Sequence, residues 1–143
     1  MNIEQVVPGA FQAVLGLEKY VRANVDMRVL ELVKLRASMM NGCAFCVDMH
    51  SRDALAAGVS SRRLFAVAAW REAPFFDERE RTALALTEAV TRLGEHGVPD
   101  DVWEAAAKVW SEKELADLVV AIATINVWNR ISVTNRTEPP TDV

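Results

Sequence analysis

The stretch ELVKLRASMMNGCAFCVDMH, residues 31–50, holds both cysteines of the chain and one of its two histidines. Its first half continues a helix that is predicted over Met27–Met40. Asn41 and Gly42 are predicted to end that helix, because both residues tolerate the left-handed conformation that a helix C-terminus requires. The next helix should begin near Cys43. Two consecutive helices, with a Cys-x-x-Cys pair at the start of the second, therefore set the expected fold.

Helical patterns also dominate the remaining chain, and no alternating run convincingly predicts a strand. Asp26, Ser60 and Asp77 are predicted N-caps, and Ser111 opens a capping box with a glutamate three residues later. We therefore predict an all-α fold of about seven helices in a single domain, residues 1–143, with a flexible tail after about residue 136. The predicted helices are Pro8–Arg22, Met27–Met40, Cys43–Ala57, Ser60 to about Trp70, a helix after Asp77, one from Asp100 or Asp101 to about Trp110, and one after Ser111 to about Val133.

The composition is that of an ordinary globular protein, with 51% hydrophobic and 25% charged residues. The net charge of −4 makes nucleic acid or an anionic membrane surface a poor candidate partner. The N-terminus lacks the basic stretch of a signal peptide, and no run of about 18 apolar residues predicts a transmembrane helix. We therefore expect a cytoplasmic protein, in which a close pair of cysteines is catalytic, redox-sensing or metal-binding.

Two predicted helices, Met27–Met40 and Glu114–Val133, are apolar around most of their circumference. A helix of this kind must be buried on nearly all sides. A chain of 143 residues has limited room for two of them. We therefore expect a homo-oligomer that buries their outer faces, with a tight monomeric bundle as the alternative.

The chemistry of the segment follows from the spacing of three side chains. Cys43 and Cys46 lie about one helical turn apart on one face, and His50 lies one turn further along the same stripe. A helix N-terminus stabilises a thiolate, and a histidine one turn away can take the thiol proton. The pair can also close a disulfide. The helix dipole favours Cys43 as the attacking thiol and the nearby histidine favours Cys46, so the residues alone leave this choice open.

Two other interpretations of the cysteines are weaker. Both could be buried core residues, although reactivity more often decides whether such thiols are kept. A zinc site would need Cys43, Cys46, His50 and a carboxylate, but no second Cys/His pair exists because the remaining histidine is His96. We therefore expect no bound metal and no cofactor. A thioredoxin fold is also disfavoured, because its Cys-x-x-Cys follows a strand and this one follows a long helix.

Glu31 and several other residues are less informative. On residues alone, Glu31 is interpreted as a solvated carboxylate in a local ion pair with Lys34. The four tryptophans are expected in core or interface packing, with Trp128 as a possible pocket wall. His96 is expected to be solvated. Arg36 and Asp48 are expected in structural ion pairs.

The combination of Glu31, Cys43-x-x-Cys46 and His50 resembles the core motif of the AhpD-like alkyl hydroperoxidases, within the carboxymuconolactone decarboxylase superfamily. Residues 125–130 are also similar to the C-terminal helix of that family. The resemblance implies an all-α fold packed into trimers or hexamers. It also implies that Cys46 attacks a peroxide and Cys43 resolves the product, with Glu31 and His50 as a proton relay. An external thiol or dithiol would then reduce the disulfide.

The chain departs from some members at Phe45, where they carry a second histidine. This substitution makes the pocket more apolar and removes one proton carrier, which puts efficient peroxidase turnover in question. Two other functions stay open. The lyase branch of the superfamily lacks the Cys-x-x-Cys pair, and a non-enzymatic redox sensor would form the same disulfide.

Overall fold

The computed structural model describes residues 1–142, in which all regular secondary structure is helical. The all-α prediction is therefore confirmed. Eight α-helices and one 3-10 turn, Val67–Ala69, follow one another along the chain. The helices are α1 (Ile3–Val6), α2 (Pro8–Asn24), α3 (Met27–Asn41), α4 (Ala44–Ala56), α5 (Ser61–Ala66), α6 (Glu78–Thr91), α7 (Asp100–Val109) and α8 (Glu112–Asn135).

The predicted capping residues set the helix boundaries. Asp26 accepts hydrogen bonds from the backbone N–H groups of the first turn of α3. Asp77 and Ser111 each form a complete capping box with the glutamate three residues later. Gly42 ends α3 with φ of 67°, a left-handed conformation that glycine adopts without steric cost. These boundaries are local features, which is why the sequence predicts them well.

Two features of the helix order differ from the prediction, and the other helix ends agree to within one or two residues. The four-residue helix α1 was not expected, because one helical turn is too short to give an apolar period. The predicted helix from Ser60 to Trp70 is divided into α5 and the 3-10 turn that follows it. Short 3-10 turns are common at helix ends, and the apolar pattern does not distinguish them from a continuing α-helix.

Helix α3 forms the centre of the molecule, and it packs chiefly against α4, α6 and α8. Every residue of Val29–Leu35 is buried within the one chain. The expectation that an oligomer is needed to bury this helix is therefore wrong, because its neighbours in the same chain enclose it. One apolar cluster joins α3 to α6, α7 and α8, and it contains Val29, Val33, Ala83, Leu86, Ala106, Trp110, Leu115, Leu118 and Ile122.

Helix α8 is only partly enclosed. One face is buried against α2, α3 and α6, while Ala116, Ala123 and Val127 are exposed on the other. By length and composition alone, α8 is apolar enough to cross a membrane, a property that the search for an unbroken apolar run did not detect. The buried core helix of a soluble protein meets the same criterion, so this property alone does not assign a location.

A ladder of polar side chains crosses from α3 to α8 near their ends. The Asn41 amide donates to the Oδ1 atoms of Asn126 and Asn129, at 3.0 and 2.9 Å. Asn129 in turn donates to the buried Ser38 hydroxyl, and Asn126 donates to Thr91 of α6. This ladder fixes the end of α3 that leads directly into the cysteine pair.

Candidate active site

Cys43 and Cys46 are joined by a disulfide, with their Cα atoms 5.3 Å apart. Cys43 is the N-cap of α4 and not its first helical residue, and its sulfur accepts a hydrogen bond from the backbone N–H of Cys46 at 3.3 Å. Gly42 reverses the chain directly before it. The two helices therefore place both sulfurs at the positive end of α4, where a thiolate is stabilised after reduction.

His50 is held by a carboxylate from the neighbouring helix. Its Nδ1 lies 2.8 Å from Glu31 Oε2, and both side chains are almost fully buried. The interpretation of Glu31 as a solvated partner of Lys34 is therefore wrong. The buried Lys34 ammonium instead contacts Glu18 of α2. The structure brings Glu31 and His50 together, as the resemblance implies, and His50 also borders a cavity.

This cavity has a volume of about 750 Å³, and Cys46 and His50 both line it. Cys43 is not among its lining residues. Of the two cysteines, only Cys46 therefore borders the cavity. Most of its remaining wall is apolar, and the side chains that form this wall include Phe11, Leu15, Phe45, Met49, Trp128 and Ile131.

Trp128 is a wall of this cavity, where its ring meets the Phe11 ring edge-on at 5.3 Å between centroids. Trp70 and Trp110 are buried in the two larger apolar clusters, as expected. Trp103 lies outside the core, since about half of its surface is exposed on α7. The tryptophans thus have three different environments, which their spacing in the sequence does not distinguish.

A cluster of charges lies behind the histidine. Arg22 of α2 donates to Glu18 at 2.7 Å and to Asp53 at 3.4 Å, and the same guanidinium lies 3.7 Å from Glu31 Oε1. Burial alone would raise the pKa of Glu18, but the hydrogen bonds and charges of Lys34 and Arg22 outweigh it and lower that pKa. Sequence analysis missed Glu18, Arg22 and Asp53, because only the folded chain brings α2 against α3 and α4.

Glu31, His50 and Asp53 each offer one ligand atom, and these atoms lie within 4.8 Å of one another. The Arg22 guanidinium already lies within 4 Å of both the Glu31 and the Asp53 carboxylates, so a positive charge of the protein itself compensates their negative charge. The zinc set considered from sequence shares only His50 with this cluster. Its two cysteines are bonded to each other in this structure.

His96, Arg36 and Asp48 have the environments that were expected for them. His96 is exposed in the loop between α6 and α7. Arg36 pairs with Glu88 at 2.8 Å, and Asp48 pairs with Arg52 at 2.7 Å on the surface of α4. These ion pairs connect neighbouring turns and helices, and they do not touch the cysteine pair.

Comparison with known proteins identifies the family of this helical chain. The sequence model of the carboxymuconolactone decarboxylase family matches residues 7–89. The chain belongs to this family, and its resemblance to the AhpD-like members is confirmed. The uncharacterised protein YdfG of Bacillus subtilis is 37% identical over 130 residues, which are 90% of this chain and 88% of YdfG.

Two solved structures share the fold. A protein of unknown function from Agrobacterium tumefaciens, suggested to be the antioxidant defence protein AhpD, is 42% identical with a TM-score of 0.95. The match covers 99% of this chain and 98% of that protein. The debrominase Bmp8 is 22% identical with a TM-score of 0.84, covering 94% of this chain and 73% of its own. At that identity the likeness concerns the fold alone.

Proposed function

We propose that the protein is a thiol-dependent peroxidase that reduces organic hydroperoxides, with Cys46 as the attacking thiol and Cys43 as the resolving one. One observation carries this proposal: Cys46 and a histidine fixed by Glu31 line the same cavity, directly beside a second cysteine. Family membership supports an enzyme, and the Cys-x-x-Cys pair favours redox chemistry over the lyase reaction.

The first step begins from the reduced pair. His50 takes the proton of the Cys46 thiol, and Glu31 on its other nitrogen orients the ring for this transfer. The thiolate then attacks the terminal oxygen of a hydroperoxide, ROOH. The S–O bond forms as the O–O bond breaks, and RO⁻ leaves with the electron pair and receives the proton from His50. The products are ROH and a sulfenic acid on Cys46.

The second step closes the disulfide. The Cys43 sulfur, one turn away, attacks the sulfenic sulfur, and water is released with the thiol proton. An external dithiol then reduces the disulfide by exchange and is itself oxidised to a disulfide. The sum is ROOH plus a dithiol giving ROH, water and a disulfide. The structure, with its disulfide between Cys43 and Cys46, corresponds to the oxidised form that this reductant would reduce.

The assignment of Cys46 as the attacking thiol rests on access. Cys46 lines the cavity, whereas Cys43 serves as the N-cap of α4 and does not line it. A peroxide bound in the cavity therefore meets Cys46 first. The proximity of His50 favours the same cysteine, while the helix dipole acts on both.

Consumption of cumene hydroperoxide with dithiothreitol as reductant tests the proposal. Wild type should turn over, and Cys46→Ser should lose turnover completely because its hydroxyl is not an effective nucleophile toward peroxide. Cys43→Ser is the matched control. It should consume about one equivalent of peroxide and form a sulfenic acid that dimedone traps, since the attacking thiol is intact.

A different result separates the alternatives. If wild type consumes no hydroperoxide but mass spectrometry finds that the Cys43–Cys46 disulfide forms reversibly, the protein is a disulfide exchanger or a redox sensor. A lyase activity that survives replacement of both cysteines would instead assign the chain to the lyase chemistry of its superfamily. Either result overturns the peroxidase assignment.

Two further elements of the proposal concern assembly and location. The exposed apolar residues Ala116, Ala123 and Val127 of α8 form a face that a second copy of the chain can cover, which supports a homo-oligomer such as a trimer or hexamer. The proposed location is the cytoplasm, because a reducing compartment can regenerate a cysteine pair that must be reduced after every turnover.

A further inference from the structure

Glu18 is one of the residues that line the cavity beside Cys46 and His50. Its Oε1 atom accepts hydrogen bonds from Arg22 Nε at 2.7 Å and from the Lys34 ammonium. Its Oε2 atom is buried and has no hydrogen-bond partner among residues 1–142. A buried acceptor without a donor costs free energy, so a native site normally supplies one from water or from a ligand.

The position of this carboxylate is fixed. Lys34 is fully buried, and Arg22 is also tied to Asp53 of α4. These two cations hold Oε1 and favour the ionised form of Glu18. An ionised carboxylate is an acceptor only, so the free oxygen requires a donor and cannot itself donate.

Glu31 Oε1 is the other buried side-chain oxygen in the described part of the chain that has no hydrogen-bond partner. It differs from Glu18 in two respects. The Arg22 guanidinium faces it at 3.7 Å, and Glu31 does not line the cavity. Of the two residues with such an oxygen, only Glu18 lines the cavity.

We infer that Glu18 is a substrate-binding residue whose Oε2 accepts a hydrogen bond from the O–H group of an organic hydroperoxide in this cavity. The inference rests on the proposed peroxidase function and adds a recognition group to it. The hydroperoxide hydrogen is on the terminal oxygen, the atom that Cys46 attacks. A hydrogen bond to Glu18 would therefore orient the reacting atom itself.

The hydrogen bond requires no additional proton transfer. The hydrogen stays on the terminal oxygen as this atom becomes the hydroxyl of the Cys46 sulfenic acid. The O–O electron pair leaves on RO⁻, which receives the proton that His50 took from the Cys46 thiol. Glu18 remains a carboxylate throughout, as its two cationic partners favour.

Glu18→Gln reverses the polarity of this contact. The Arg22 and Lys34 donors should hold the amide oxygen at the Oε1 position, which puts the amide NH₂ where Oε2 was. A donor would then face the hydroperoxide O–H. The test compares two reactions of Cys46, both in a Cys43→Ser background so that only one thiol reacts. One reagent is cumene hydroperoxide, and the other is methyl methanethiosulfonate, which has no O–H or N–H group.

Glu18→Gln should slow the hydroperoxide reaction roughly tenfold or more, as expected for a lost hydrogen bond to a charged group. The thiosulfonate reaction should stay within about twofold of the parent, because it needs no acceptor at Glu18. Glu104→Gln, at an exposed position of α7, has the same charge change and should leave both rates at the parental value. Glu31→Gln should instead slow both reactions, because it acts through His50 on the thiol.

Three results would overturn the inference. If Glu18→Gln lowers both rates equally, Glu18 acts on the charge or the folding of the site and not on the hydroperoxide. If it lowers neither rate, Glu18 does not bind the substrate. If the Cys43→Ser parent reacts with thiosulfonate but not with hydroperoxide, the proposed peroxidase function fails first and this inference falls with it. Should Glu18→Gln unfold because Lys34 is left unpaired, Glu18→Gln with Lys34→Met removes both charges and should show the same selective loss.

Discussion

Two buried regions lie on different sides of α3, and they are built in opposite ways. On one side, apolar residues of α3, α6, α7 and α8, such as Val33, Leu86 and Ile122, pack against one another. On the other side, α2 and α4 enclose Glu31, Lys34 and His50. The same fifteen-residue helix therefore serves both a hydrophobic core and a buried charged site.

The difference indicates what each region contributes. Burial of apolar surface stabilises the fold by about 25 cal/mol per Å². Buried charges lose hydration, and their pairing often does no more than compensate for that loss. The charged region is therefore poorly explained by stability, whereas the proposed thiol chemistry in the cavity lined by Cys46 and His50 accounts for it. Substitutions in the two regions should separate activity from stability.

The largest effect is expected at His50. His50→Ala should lower the rate of Cys46 with hydroperoxide by about 10²–10⁴-fold, the range for loss of a positioned proton carrier. Stopped-flow measurement on the reduced protein gives this rate, and chemical denaturation gives the free energy of unfolding. The variant should remain folded. A rate close to that of wild type would show that His50 does not carry the proton, and the proposed role of Glu31 would fail with it.

An intermediate effect, on stability alone, is expected on the apolar side. Ile122→Val removes one methylene from a fully buried side chain and should lower the free energy of unfolding by about 0.5–1.5 kcal/mol. The peroxide rate should not change, because Ile122 does not line the cavity. Urea unfolding and the hydroperoxide assay measure the two quantities. A large loss of rate would show that the two sides of α3 are coupled, contrary to the comparison.

The smallest effect is expected at the rim of the apolar side, where Glu114 accepts hydrogen bonds from Ser111 and Arg79. The Ser111 backbone N–H, followed by Arg79 and the Ser111 hydroxyl, lowers the pKa of Glu114 to about 2 from an ordinary 4.5. Because the folded pKa is depressed, the stabilisation is fully present above pH 4.5 and is lost as the pH falls through about 2.

Glu114→Gln should therefore be slightly less stable than wild type at pH 7, and the difference should shrink between pH 4.5 and 2. Urea midpoints at several pH values measure it. Glu112→Gln, in the same first turn of α8, is the control for the charge alone. A stability difference for Glu114→Gln that does not vary over this pH range would contradict the depressed pKa as its cause.

The sequence predicts best what is determined locally. Asp26, Asp77 and Ser111 cap the helices that were assigned to them, because a capping side chain bonds to backbone only two or three residues away. The proximity of Cys43, Cys46 and His50 also follows from spacing, since one helical turn separates each from the next. These features need no knowledge of how the helices pack.

The contacts between helices could not be obtained in this way. Lys34 lies three residues after Glu31, which suggested a local pair, yet packing turns Lys34 toward Glu18 and Glu31 toward His50. An ion pair along one helix is worth only a few tenths of a kcal/mol, so burial against α2 and α4 decides the partners. The family resemblance identified Glu31 where residue spacing did not, and neither identified Glu18.

The N-cap of α4 has a consequence for observing this protein. The Cys46 amide donates to the Cys43 sulfur, and that sulfur changes from a disulfide atom to a thiol or thiolate when the pair is reduced. A thiolate is the stronger acceptor, so the backbone amide senses the oxidation state directly. The nitrogen-15 resonance of Cys46 is thus an intrinsic reporter of the redox state, readable by nuclear magnetic resonance without any added dye or label.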